Sequence, residues 1–158
     1  MRELSRIIGI GLPSISAHLK ELVRLGFIVR EKKGIYPTFR ANREEDLFKL
    51  YKKQNIILRI YETGLVDYIY DSCLPDNIIL FGSASKGEDI KESDVDLFVG
   101  CGEKKLNLEK YEKMINRKIN LFFEKDFLKL SKELKNNILN GVLLKGYIKV
   151  FWNLKWIW

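Results

Sequence analysis

Histidine, cysteine and long apolar runs are scarce in this 158-residue chain, and each scarcity removes a class of function. Cys73 and Cys101, the only two cysteines, lack the spacing of a zinc site or a redox pair. His18, the only histidine, falls at the edge of an apolar stripe, a place for a packing or phosphate-contacting residue rather than a metal ligand or catalyst. No run of about 18 uncharged apolar residues occurs, which excludes a membrane-spanning helix. Met1-Arg2-Glu3-Leu4-Ser5 also lacks the apolar stretch and small-residue cleavage site of a signal peptide, so a cytoplasmic location is expected.

What the chain has in quantity is charge on a hydrophobic frame. Hydrophobic residues make up 46%, enough to build the core of one ordinary domain or two small ones, and charged residues make up 31%. The formal net charge of +7 is uneven. Residues 1–54 carry 12 Lys/Arg against 6 Asp/Glu, 55–75 carry 1 against 3, 76–99 carry 2 against 6, and 100–158 carry 13 against 6. A basic head suits a phosphate backbone and an acidic island inside a basic chain suits a divalent cation, unless the lysine-rich surfaces serve only solubility.

In the first fifty residues, Leu4, Ile7 and Ile8 form the stripe of a short helix and Gly9-Ile10-Gly11 a tight connection. Ile15, Leu19 and Leu22 then recur at helical spacing behind Pro13, which suits a first turn, so the spacing predicts a helix from about Pro13 to Leu25. Gly26–Arg30 reads as a strand, Glu31–Gly34 as a turn and Ile35–Arg40 as a returning strand. Ser14, Ser16, Ala17, Lys20 and Arg24 face away from the buried stripe, a small and basic surface able to enter the major groove of double-stranded DNA, with Lys32 and Lys33 as phosphate contacts. The other reading of the same order is a fold used for protein contacts. Ser14-Ile15-Ser16-Ala17-His18-Leu19-Lys20-Glu21-Leu22 and Leu25-Gly26-Phe27-Ile28 resemble winged-helix regulators of the ArsR and MarR type. Against that pattern Met1 falls where the second of three helices begins; another segment, a partner chain or an upstream start would then have to cover Ile15 and Leu22.

Asn42 is expected to cap a helix from about Arg43 to Lys53, its acidic first turn matching the helix dipole. A helical stripe from Ile56 through Ile69 continues it, broken near Gly64. Beyond this connector, Ile78-Ile79-Leu80-Phe81 reads as a buried strand that stops at Gly82-Ser83. Small residues there let backbone N–H groups approach phosphate oxygens, and the Ser83 hydroxyl adds a donor at the start of a helix. Ser93-Asp94-Val95-Asp96-Leu97-Phe98-Val99 follows, and residues two apart on a strand share a side, so Asp94 and Asp96 project together. Paired carboxylates repel unless a cation lies between them, and hard divalent ions prefer such ligands.

Phe81-Gly82-Ser83-Ala84-Ser85-Lys86-Gly87 with Ser93-Asp94-Val95-Asp96-Leu97 resembles the signature of the polymerase β-like nucleotidyltransferases, in particular the minimal nucleotidyltransferases of prokaryotes. The resemblance runs from about Asn77 to Phe151. It implies Mg²⁺ (or Mn²⁺) at Asp94 and Asp96, and a nucleoside triphosphate such as ATP held by Gly82, Ser83, Lys86, Gly87 and Ser93. It further implies transfer of the nucleoside monophosphate to an acceptor hydroxyl, as in antitoxins that modify a partner toxin. The family carries a third acid in a context like Arg-Lys-Val-Asp-Leu, whereas this chain reads Arg117-Lys118-Ile119-Asn120-Leu121. An amide lends a carbonyl to a metal but cannot take a proton from an attacking hydroxyl. Glu124 shares the face of Asn120 yet lies roughly 13 Å along a strand, too far to replace it. Loss of that acid leaves two outcomes open: slow transfer, with Asp94, Asp96 and Asn120 as the catalytic set, or a transcription regulator whose domain only senses a nucleotide or a partner.

Lys129–Asn140 has the pattern of an amphipathic helix, and the tail from Phe151 concentrates all three tryptophans, suited to self-packing or to a homodimer contact. The expected architecture is α+β: a winged helix-turn-helix over residues 1–42, a helical connector over 43–74 and a small α/β nucleotidyltransferase domain with a mixed sheet over 75–158.

Overall fold

The structure, a computed structural model, describes residues 1–32 and 37–148. The chain divides into two compact units, Met1–Leu50 and the chain from Tyr51 onward. Lys33 and Gly34 of the turn Glu31–Gly34, the first residues of the returning strand and the tryptophan tail lie outside the described residues, while Glu31 and Lys32 belong to a strand rather than to the turn.

The first unit opens with α1 (Arg2–Ile8), closed by Gly9 in the left-handed region, and α2 (Leu12–Arg24), which carries Pro13 in its first turn. The hairpin follows as β1 (Ile28–Lys32) and β2 (Pro37–Ala41), antiparallel with Lys32 opposite Pro37. Of the stripe on α2 only Ile15 is fully buried, while Leu19 and Leu22 are half-buried. Nothing on α1 is buried; Ile7 is 74% exposed.

The helix expected from Arg43 starts later and runs further, as α3 (Asp46–Glu62). Asn42 does not cap it, because its Nδ2 donates to the Gly26 carbonyl, 2.9 Å, and its backbone N–H to the Phe27 carbonyl, closing the base of the hairpin. Gly64 breaks the stripe as expected, with φ +75°, and α4 (Leu65–Cys73) follows. No described helix is long and apolar enough to cross a membrane.

In the second unit β3 (Asn77–Phe81), the short α5 (Gly82–Lys86), β4 (Val95–Val99), α6 (Glu109–Ile115), β5 (Ile119–Phe123), α7 (Lys132–Leu139) and β6 (Val142–Gly146) build a mixed sheet in the order β5-β4-β3-β6. The strand pair β4–β5 is parallel; the other two pairs are antiparallel. The helix expected from Lys129 is divided: a single 3-10 turn covers Phe127–Lys129, and α7 begins only after Ser131, whose hydroxyl accepts from the Leu134 N–H. The N-cap serine satisfies a donor that the preceding residues cannot.

Strand alternation sends the sheet's residues to two cores. Ile78, Leu80, Val95, Leu97, Val99 and Ile119 pack with Ile56, Ile60, Leu65, Ile69 and Ile115 from α3, α4 and α6. Nine of these are wholly inaccessible, each contributing about 1.5–3 kcal/mol by burial. The opposite face holds a smaller cluster, Ile79, Phe81 and Phe98 against Ile138 of α7. That second cluster covers only part of its face, and the uncovered part, at the start of β4, is polar.

Candidate functional site

The polar corner is assembled by register. Asp96 on β4 lies opposite Phe81, the last residue of β3, on one side, and alongside Asn120 of β5 on the other. The chain turns from Phe81 straight into Gly82, so the glycine-serine bend, the acid strand and β5 are neighbours on the sheet. Paired residues share a face, which puts Asp96, Asn120, Phe98 and Phe122 on the same side. Phe81 meets Phe122 edge to face, ring centroids 5.3 Å apart, forming an aromatic floor beside the acids.

Asn120 brings the two aspartates together. Its Nδ2 donates to Asp94 Oδ2 at 3.2 Å and to Asp96 Oδ1 at 3.0 Å, so one amide bridges both carboxylates. The NH₂ group supplies donors where a cation would supply charge, a weaker answer to the same repulsion. Asp94 and Asn120 are exposed and Asp96 is half-buried, so the corner is open to solvent.

The bend fits against the same acid. Gly82 has φ +72°, and a Cβ there would lie 2.7 Å from Asp96 Oδ2, so glycine is needed both for its backbone angle and for the approach of the carboxylate. Ser83 is half-buried and its hydroxyl makes no hydrogen bond among the described residues. Lys86 is exposed and makes no ion pair among the described residues, and Gly87, φ +73°, ends α5. Ser85 is buried, its hydroxyl donating to the Gly82 carbonyl at 2.7 Å. Ser93 is employed differently from a phosphate ligand: its Oγ accepts from the Ile90 N–H at 2.9 Å and closes the turn before Asp94. Glu124 accepts from the Asp126 N–H and takes no part in the acid cluster.

A further acid, unmarked by any sequence motif, lies beside the corner. Asp89, in the segment between α5 and β4, is 2% exposed and stands between Lys52 Nζ, 3.1 Å from its Oδ1, and Arg117 Nη1, 2.5 Å from its Oδ2. Lys52 also donates to the Asp89 carbonyl. No local pattern marks the residue, since its partners come from 37 and 28 positions away. The only available signal was a spare acid within the acidic island.

On the first unit, Ser14, Ala17, Lys20 and Arg24 are exposed and Ser16 half-exposed, but Glu21 shares their face. Glu21 takes a bidentate pair from Arg24, Nε–Oε2 2.8 Å and Nη2–Oε1 2.6 Å, which holds the Glu21 carboxyl below its ordinary value and raises Arg24. Arg24 is therefore occupied rather than free for a phosphate. Lys32 is exposed at the end of β1.

No group of three or more His, Cys, Asp or Glu side chains that could hold a metal occurs among the described residues. Two carboxylates and an amide nevertheless suit Mg²⁺, which binds through one or two carboxylates and completes its shell with water and substrate phosphates. Asn120 takes part only if its amide turns its oxygen toward the ion.

The family model described as polymerase beta, nucleotidyltransferase matches residues 64–148, more than half of the chain, and spans the bend, the acid strand and β5. No curated protein and no solved structure matches it. With the glycine-serine bend, the paired aspartates and the adjoining third-strand position all inside the matched segment, the chain belongs to the polymerase β nucleotidyltransferase family.

Proposed function

We propose that the second unit binds a divalent metal–nucleoside triphosphate at the corner between Gly82-Ser83 and Asp94/Asp96 and transfers the nucleoside monophosphate, slowly, to an acceptor hydroxyl, on a partner protein or another acceptor, forming a phosphodiester as the bond between the α- and β-phosphates breaks and pyrophosphate leaves. The observation that supports this reading is the bridging of Asp94 and Asp96 by one side chain beside the bend. In this reading Gly82, Ser83, Lys86 and Gly87 line the phosphate side, and Ser93 holds the turn that presents Asp94. Mg²⁺ or Mn²⁺, when bound, would be held by Asp94 and Asp96 and would supply charge stabilisation at the phosphoryl group. Asn120 orients the acceptor, and because an amide accepts no proton the hydroxyl has to lose its proton to water or to a base outside the acid cluster.

The absence of a third carboxylate also favours a second reading, a transcription regulator with a nucleotide-sensing or partner-binding domain. Incubation with α-labelled triphosphate, Mg²⁺ and cell extract separates the two. Label transfer by the parent that disappears in Asp94→Ala supports the enzyme; transfer seen only in Asn120→Asp supports the regulator.

For the first unit we propose a winged helix-turn-helix over residues 1–42 that binds double-stranded DNA, most naturally as a homodimer, with 43–74 as connector and 75–158 as the nucleotidyltransferase domain. Helix, helix and antiparallel hairpin in that order support this, as does the exposed Lys20 and Lys32. Ser14, Ser16 and Ala17 face the bases in this reading, while Arg24, held by Glu21, contributes little. A gel-shift titration over salt tests it: removing Lys20 and Lys32 should lower affinity and flatten the salt slope by about two. Absence of binding at low salt overturns the DNA reading.

A further inference from the structure

Short of Asp94 itself, which Asn120 holds, the segment that runs from α5 to Asp94 is fastened to other elements at one point among the described residues, and that point is a buried charge. Residues 87–94 otherwise hold themselves by short turns: Glu88 N–H to the Ser83 carbonyl, Ser93 N–H to the Ile90 carbonyl, and Ile90 N–H to Ser93 Oγ. None of these ties the segment to the rest of the sheet. Asp89 does, because Lys52 belongs to α3 and Arg117 to the turn that opens β5. It stands two residues beyond the glycine that ends α5 and five before Asp94. Arg117 in turn stands three residues before Asn120, and the Lys118 carbonyl beside it accepts the Val95 N–H at 2.8 Å.

Stability alone gives no reason for this design. An ion triad around a buried acid, its cations only partly covered, is commonly no more stabilising than apolar side chains of the same volume, whereas fixed partners on three elements define one arrangement. Lys52 donates a hydrogen bond to the Asp89 carbonyl and, like Arg117, meets its carboxylate as an ion pair without hydrogen-bond geometry, so the segment cannot slide or rotate without drawing the buried carboxylate away from both cations.

We propose that Asp89 is a positioning residue: clamped by Lys52 and Arg117, it sets the segment so that Asp94 meets Asp96 and the Asn120 amide in one geometry. The inference rests on the metal–nucleotide reading only for its consequence, since the geometry of the acids is observable without a ligand. Such outer partners typically change metal affinity by about 10- to 100-fold when removed.

The test uses the full chain labelled with ¹⁵N-asparagine, in which the Asn120 side-chain NH₂ resonance reports its bonds to Asp94 and Asp96. It is assigned by its loss in Asn120→Asp, and Mn²⁺–ATP titration calorimetry is run beside it. In Asp89→Asn the resonance should move toward that of a free amide and Mn²⁺–ATP affinity should fall about tenfold. Lys52→Met, which leaves Arg117 on Asp89, should move both in the same direction by less, and it carries the test if Asp89→Asn does not fold. Leu144→Ala, a core truncation remote from the clamp, should lower the melting temperature and move neither. A folded Asp89→Asn or Lys52→Met protein with the parent's resonance and affinity overturns the proposal. Failure of the parent to bind Mn²⁺–ATP at millimolar ligand instead ends the metal–nucleotide reading, and the Asn120 resonance still decides the clamp.

Discussion

Replacing Asn120 by aspartate exchanges two attractions for two repulsions without changing the side-chain shape. In the parent, Nδ2 reaches Asp94 Oδ2 at 3.2 Å and Asp96 Oδ1 at 3.0 Å. A third carboxylate would face two others at these separations, and Coulomb energy at 3 Å runs from about 1.4 kcal/mol per contact in water to about 5.5 at an effective dielectric near 20. Asp94 and position 120 are exposed, so the watery end applies, screened further by salt. With the loss of two hydrogen bonds included, metal-free Asn120→Asp should be about 2–4 kcal/mol less stable, a fall in Tm of order 10 °C. Adding Mn²⁺ reverses the sign: three carboxylates now surround a cation, and saturation at about 100 times Kd returns about 2.7 kcal/mol. Calorimetric melts of parent and variant in EDTA and across Mn²⁺ concentrations read both halves. A variant as stable as the parent in EDTA, or one that gains no more Tm from Mn²⁺ than the parent does, refutes the description of Asn120 as a neutral stand-in between the two acids.

Further outcomes follow from single contacts. Gly82→Ala must carry a β-carbon into Asp96 at φ +72°, and should cost about 1–2 kcal/mol in urea melts while weakening Mn²⁺–ATP binding. The Ile119 N–H, then Lys118, hold the Glu112 carboxyl below its ordinary value of 4.5. A folded-state value below the unfolded one stabilises above pH 4.5 and is lost as pH falls through the lowered value, so urea midpoints of the parent should drop on acidification below that pH more steeply than those of Glu112→Gln. Burial first, then the adjacent Cys73 thiol, push Cys101 up to about 11. Its alkylation by iodoacetamide at pH 8 should therefore be about 100-fold slower than that of a free thiol, and a fast reaction in the folded protein would contradict that burial.

The local features were legible because local rules determine them. Period-two alternation located the strand from Val95 and put both aspartates on one side; the glycine-serine stop fixed the end of β3 at Phe81; Pro13 and the spacing of Ile15, Leu19 and Leu22 gave α2 to within a residue. Position 120 drew attention through its family context, but its placement beside Asp96 depends on a parallel pairing that joins residues 24 apart, for which the chain has no local signal. The same holds for Asp89, whose burial is decided by two cations from distant elements, and for Asn42, whose capping chemistry was diverted to Gly26 across the hairpin. Arg24 reads as an available cation when only the small and basic residues of the polar face are weighed, but Glu21, three residues earlier on the same face, pairs with it.

The rung that joins Phe81 to Asp96 has a consequence for how such a corner changes over time. The separation of bend and acid is a property of two hydrogen-bonded backbones, about 5 Å in any antiparallel ladder, and owes nothing to the size of the surrounding side chains. Repacking the interior cannot retune it, and only a slip of the strands could spoil it. A lineage can therefore trade amide for acid at the neighbouring rung and back again through one substitution, gaining or shedding chemistry at a cost in metal-free stability while the strand register that sets the corner stays the same.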